Sequence, residues 1–285
     1  MNSELNISLN TEASYIERLR QLIAEAPDGI DVGPLETALA SAEAAMAAAA
    51  TTGDPSPDRT KIWFLLDRSG SMGPLTDDVI GGFNQFLAEQ QAQAGKARIS
   101  VVLFDAQNPY EVVVDGRRIS EVPPLTSGIY SARSMTPLFD AMGTLLERAD
   151  QRITQRAEAG RDAEDQLVLV FTDGHENAST RFDRARIFEM IKERQDAGNW
   201  TFVFMGANQD SYAAGGDVGF DRGSIQDFDA TPASVHASFM EFSRGTASYR
   251  NKPRQSRVMD RHDFFEGQKL AERALREQEE AQTQN

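Results

Sequence analysis

The chain has 285 residues, 40% of them hydrophobic, which is enough for one α/β domain of ordinary size with extensions and a real core. It contains no cysteine, which excludes a disulfide framework and a thiolate metal site and fits a reducing compartment. A formal net charge of −15 with no local basic patch repels phosphate backbones and argues against nucleic-acid binding. The first residues, MNSELNISLN, lack both a basic region and an apolar core, and no later segment approaches about 18 uninterrupted apolar residues. The expectation is a protein without membrane contact, kept in the cytoplasm.

Ser14 and Glu17 form a capping box ahead of Ile16, Leu19, Leu22 and Ile23 at helical spacing. After the breaker APDGIDVGP, the alanine-rich run 35–50 favours a second helix, so residues 1–50 read as a helical hairpin. Residues 51–59, TTGDPSPDR, read as a linker. An α/β domain is expected over 60–250, and 251–285 as a charged helix or disordered tail.

Within 60–250, the short apolar runs KIWFLL, ARISVVLF, QLVLVF and TFVFM predict parallel strands, with GSIQDF as a last short one. Between them, Val79, Phe83, Phe86 and Leu87, then Leu138, Met142, Leu145 and Leu146, then Ile187, Met190 and Ile191 repeat at intervals that turn one helix face to a sheet. A closing helix carries Val235, Phe239 and Phe242. YEVVVDGRRI, residues 110–119, predicts an antiparallel edge excursion with a turn at Asp115-Gly116. The fold class is therefore a Rossmann-like doubly wound sheet, mostly parallel with one antiparallel edge strand, preceded by a helical hairpin.

In such a sheet ligands gather beyond the carboxyl ends of the strands. Asp67, Ser69 and Ser71 of DRSGSMG follow the first strand, Thr136 of SMTPLFDAM precedes a helix, and Asp173 of FTDGHEN follows the fourth strand. Two carboxylates and three hydroxyls suit a hard cation, because Mg²⁺ prefers about six oxygen ligands and keeps several waters. If the hydroxyls coordinate directly and the two aspartates act mainly through water, positive charge remains for an open position that a foreign carboxylate can fill. Taken singly, each residue has a structural reading: Thr136 as an N-cap before proline at the first helical position, the serines and Asp173-Gly174 as turn residues.

These residues, in this order and spacing, resemble the von Willebrand factor type A domain. D-x-S-x-S matches Asp67, Ser69 and Ser71, the T-P-L threonine matches Thr136, and the aspartate of T-D-G matches Asp173. The resemblance covers roughly residues 60–250 and implies that family's fold, with its third strand antiparallel, and its metal-ion-dependent adhesion site. TDGHENAS and FVFMGANQDSYAAGGDVGF resemble a prokaryotic and phage group of such domains. What the resemblance implies is a binding module rather than an enzyme: Mg²⁺, with Mn²⁺ or Ca²⁺ possible, capturing an Asp or Glu of a protein partner in an intracellular or phage assembly, AAA-type ATPase systems among them. Arg68, Met72, His175, Glu176 and Asn208 are candidates for the rim that meets the ligand. Because the surface is acidic, the partner is expected to be basic around its inserted carboxylate.

Two alternatives stand beside this reading. A metal-assisted or serine hydrolase could use the same cluster with His175, although the serines lack a G-x-S-x-G context. A structural assembly component could use the ion only to stiffen the loops.

Overall fold

The computed structural model describes residues 60–93, 97–207 and 211–252, together with Arg254, Arg257, Phe264, Phe265 and scattered residues between 20 and 40. Most of the expected hairpin, the linker and most of the tail lie outside the described residues. Six strands form one sheet: β1 (Thr60–Asp67), β2 (Ala97–Asp105), β3 (Asn108–Arg118), β4 (Asp165–Thr172), β5 (Trp200–Ala207) and β6 (Ile225–Phe228), in the order β3-β2-β1-β4-β5-β6. All pairings are parallel except β2 with β3.

The continuous apolar strands follow from burial on both faces. Successive β1 side chains point to opposite sides: Ile62, Phe64 and Leu66 enter one core, Trp63 and Leu65 the other. The first core is covered by α1 (Thr76–Ala92) through Val79, Phe83, Phe86 and Leu87, and by α5 (Pro232–Asn251) through Val235, Phe239 and Phe242. Its centre is aromatic, with Phe64 edge-on to Phe83, Phe86 and Phe242 at ring-centroid distances of 5.3, 5.3 and 5.6 Å. The second core is covered by α2 (Leu138–Glu158) and α3 (Arg184–Asp196). A short helix, α4 (Ser211–Asp217), which the sequence reading did not separate, joins β5 to β6.

Chain connections run outward from β1 through β2 to β3 on one side and from β4 to β6 on the other, so the strand order reverses between β1 and β4. That reversal opens a crevice beyond their carboxyl ends. Two details differ from expectation. Asp115-Gly116 is no hairpin turn but a bulge inside β3, where Gly116 adopts φ 58°, its N–H donates to Ser100 Oγ at 2.9 Å, and the register with β2 shifts. The packed unit also extends past residue 250, since Phe264 and Phe265 join the first core and the buried Arg257 pairs with Asp165 at 2.9 Å. Among the described residues no helix is long and apolar enough to cross a membrane.

Candidate metal centre

The loop leaving β1 is fixed by its own aspartate. Asp67 is buried; its Oδ1 accepts the Ser69 N–H at 2.6 Å, its Oδ2 accepts the Thr172 hydroxyl at 2.5 Å, and its carbonyl accepts the Tyr130 hydroxyl at 2.7 Å. The bond back to Ser69 turns the chain sharply and aims the serines outward. Ser69 Oγ and Ser71 Oγ lie 3.1 Å apart, and Ser71 Oγ donates to Asp173 Oδ1 at 2.7 Å, joining the β1 loop to the β4 loop across the strand-order reversal.

Thr136 arrives from the third loop. The helix N-cap position falls on Pro137 and carries no side-chain cap, so Thr136 is not the N-cap its sequence context allowed. Instead its backbone is clamped to the β4 loop: Thr136 N donates to Asn177 Oδ1 at 2.9 Å, and Asn177 N donates to Thr136 O at 3.1 Å. A second clamp holds it to the β1 loop. Gly70 N donates to Ser134 O at 2.8 Å and Arg133 N to Arg68 O at 2.7 Å, with Ser134 in the left-handed region at φ 64°. The three hydroxyls converge on Gly174: a Cβ built there would meet Thr136 Oγ1 at 2.8 Å, Ser71 Oγ at 3.5 Å and Ser69 Oγ at 3.7 Å.

Burial pushes the Asp67 carboxyl up to about 7 against the bonds from Thr172 and Ser69, and burial likewise raises Asp173. Neither carboxylate has an Arg or Lys in ion-pair range among the described residues. No group of three or more His, Cys, Asp and Glu side chains among the described residues is arranged for a metal. Two desolvated carboxylates without a counter-charge, Asp173 bonded to the Ser71 hydroxyl and Asp67 behind the loop that carries it, fit a small hard cation beside a cradle of hydroxyl oxygens.

The five metal candidates thus come together. Three of the rim candidates, Arg68, Met72 and Glu176, are turned into the fold instead. Arg68 is buried and points away from the cradle, its Nε on Asp105 Oδ2 at 2.6 Å and its Nη2 on Glu111. Met72 packs in the first core. Glu176 spends its carboxylate within the fold, accepting from the N–H groups of Phe139, Ala178 and Ser179 at 2.8, 2.9 and 2.7 Å and from the Ser179 hydroxyl at 2.7 Å. His175 is exposed, and Asn208 lies outside the described residues. The sequence reading missed Thr172, Tyr130 and Asn177, which hold the site rather than line it. Thr172, just before Asp173 in T-D-G, was the one with a local signal.

Comparison with known proteins follows from this geometry. The profile described as von Willebrand factor type A domain matches residues 61–219. Among solved structures, similarity extends to a von Willebrand factor type A protein from Catenulispora acidiphila, at 16% identity and TM-score 0.45 over 67% of this chain and 43% of that one. Proximal thread matrix protein 1 of the mussel byssus, in a structure described as having a zinc-occupied MIDAS motif, matches at 13% identity and TM-score 0.45 over 64% and 46%. The pilus adhesin SpaC of Lactobacillus rhamnosus GG, in its open conformation, matches at 13% and TM-score 0.48 over 67% and 30%. The chain spans less than half the length of each of these three. No curated protein matches the chain.

Proposed function

Because the chain belongs to the von Willebrand factor type A domain family, we propose that its strand-end cluster binds Mg²⁺, with Mn²⁺ or Ca²⁺ as substitutes, as a complete metal-ion-dependent adhesion site. On this reading the protein is a binding module for an Asp or Glu of a protein partner, in an intracellular assembly of bacterial or phage type. The observation that carries it is the convergence of the Ser69, Ser71 and Thr136 hydroxyls, from two loops, on the open face of Gly174 in a third.

Ser69, Ser71 and Thr136 would hold the ion directly, while Asp67 and Asp173 orient water and supply charge from behind. When bound, the cation offers a partially uncompensated charge and a coordination position for a carboxylate oxygen. Ser71 donates to Asp173, which joins a hydroxyl and a carboxylate of the two loops before any ligand arrives.

Calorimetric titration of metal-stripped protein with Mg²⁺ and Mn²⁺, beside Asp67→Ala and Ser69→Ala, tests this. Saturable one-site binding that both variants lose is the expected result. A wild-type protein that binds neither ion, or variants that bind as well as wild type, would overturn it.

A further inference from the structure

Of the sequence TDGHENAS, Asp173 and Gly174 border the hydroxyl cluster, and the residues that follow have a different task. Residues 175–183, all of them described, form neither helix nor strand, and no side chain of 174–181 is among those of either core. Polar bonds hold the segment instead. Six successive N–H groups are engaged: that of Asn177 donates to Thr136 O at 3.1 Å, those of Ala178 and Ser179 to Glu176 Oε1 at 2.9 and 2.7 Å, and those of Thr180, Arg181 and Phe182 to the Asp140 carboxylate at 2.9, 2.8 and 2.9 Å.

The dependence is mutual. The first N–H groups of an α-helix have no partner inside it and are ordinarily met by the side chain just before it. Helix α2 follows Pro137, which has no side-chain oxygen, and its caps come from the other loop: Phe139 N donates to Glu176 Oε2 at 2.8 Å and Asp140 N to Ser179 Oγ at 3.0 Å. The Ser179 hydroxyl donates in turn to Glu176 Oε2 at 2.7 Å, so the two caps form one unit. Thr136 lies two residues before α2, between these caps and its own exchange of bonds with Asn177. Its placement beside Gly174 therefore rests on the loop that carries Asp173.

We propose that Ser179 and Glu176 are positioning residues for the cation: by capping α2 from the β4 loop, they fix where the Thr136 hydroxyl stands. The inference rests on the cation-binding reading above and adds the residues that act on it from a distance. With no apolar anchor in 174–181, hydrogen bonds alone keep this segment against the start of α2, and removing one leaves a donor to find another partner. Ser179→Ala takes away the acceptor of Asp140 N and a donor to Glu176 without changing any charge, so its effect on a cation comes through placement.

The test is a double-mutant cycle on the full chain, with Mn²⁺ affinity measured by calorimetry well below the melting temperature for wild type, Ser179→Ala, Thr136→Val and the double variant. Ser179→Ala should weaken binding about fivefold, the size of one net hydrogen bond, and by less than about twofold once Thr136→Val is present. Ser179→Thr, which keeps the hydroxyl, should bind as wild type does. In the metal-free protein, hydrogen exchange should quicken at the Asp140 amide in Ser179→Ala and at the Phe139 amide in Glu176→Gln. If wild type does not bind Mn²⁺, or Thr136→Val binds it as well as wild type, the cation reading fails and the inference with it. If Thr136→Val weakens binding but Ser179→Ala does not, if the two losses add, if Ser179→Thr loses as much as Ser179→Ala, or if both amides stay as protected as in wild type, the inference alone is overturned.

Discussion

A methyl group at position 174 would stand 2.8 Å from Thr136 Oγ1, closer than carbon and oxygen tolerate, and in ordinary contact with the Ser71 and Ser69 hydroxyls at 3.5 and 3.7 Å. Gly174→Ala therefore fills the space on which the three hydroxyls converge without removing any of them. Thr136 is backbone-clamped through Asn177, so relief has to come from rotation of its side chain away from the cradle. The predicted result is cation binding weakened at least about tenfold, on the order of 1.4 kcal/mol, in calorimetry. Thermal melting of the metal-free protein should barely move, because Gly174 lies at a loop surface and loses chain entropy on substitution. Unchanged affinity in Gly174→Ala would mean that the hydroxyls do not act together on one ion.

Between elements, the decisive feature is the four-charge network of Arg68, Asp105, Glu111 and Arg133, which ties the β1 loop, the end of β2, strand β3 and the loop carrying Thr136. Burial works against the charge of Asp105, but bonds from Arg133, the Gln107 N–H and Arg68 outweigh it and hold the carboxyl below its ordinary range. With the folded value below the unfolded one, the stabilisation is complete above about pH 4 and is lost as pH falls through the folded value. Asp105→Asn should cost about 3 kcal/mol at neutral pH, as expected when one member of a buried ion pair is removed. It should also flatten the acid limb of a urea-unfolding series below about pH 4, and an acid limb as steep as wild type would show that other carboxylates set it. This network also marks where sequence reading stops. The strands were legible because strands buried on both faces read as unbroken apolar runs, and the five cluster residues because their spacing places them at strand ends. Arg68, a rim candidate, is flanked by two of them. Its real partners are 37 and 43 residues away on β2 and β3, and only the folded register brings them together. The contacts of Glu176 were illegible for the same reason, since its donors include Phe139 on α2. The β3 bulge was missed because a glycine at positive φ in a strand and a glycine in a turn have the same local spelling.

Across the whole molecule, the ends of the sheet divide their tasks. The carboxyl ends of β1 and β4 hold the cluster, whereas their first residues, Thr60 and Asp165, are bonded by Arg257 at 3.1 and 2.9 Å, and Arg254 pairs with Asp165 at 2.8 Å. Phe265 donates its N–H to Gly223 O at 2.9 Å just before β6, and its ring joins Phe242 in the first core. With eight residues in β1, and about 3.3 Å per residue, these two ends stand about 25 Å apart. Phe265→Ala should remove about 3–5 kcal/mol of stability by leaving a cavity under α5. At a temperature well below its melting point, the same variant should bind Mg²⁺ or Mn²⁺ with affinity within about twofold of wild type, because sites this far apart with no shared partner behave additively. Asp67→Ala should show the converse, with binding lost while the tail's bonds at the amino ends of the strands persist. Calorimetry and thermal melting on the two single variants and the double variant form a complete cycle. Additive melting shifts with unchanged affinity in Phe265→Ala would establish that the tail is a fastening of the fold. A large affinity loss there would instead require that α5, which packs on the same aromatic core as β1, transmits the state of the amino ends to the cluster.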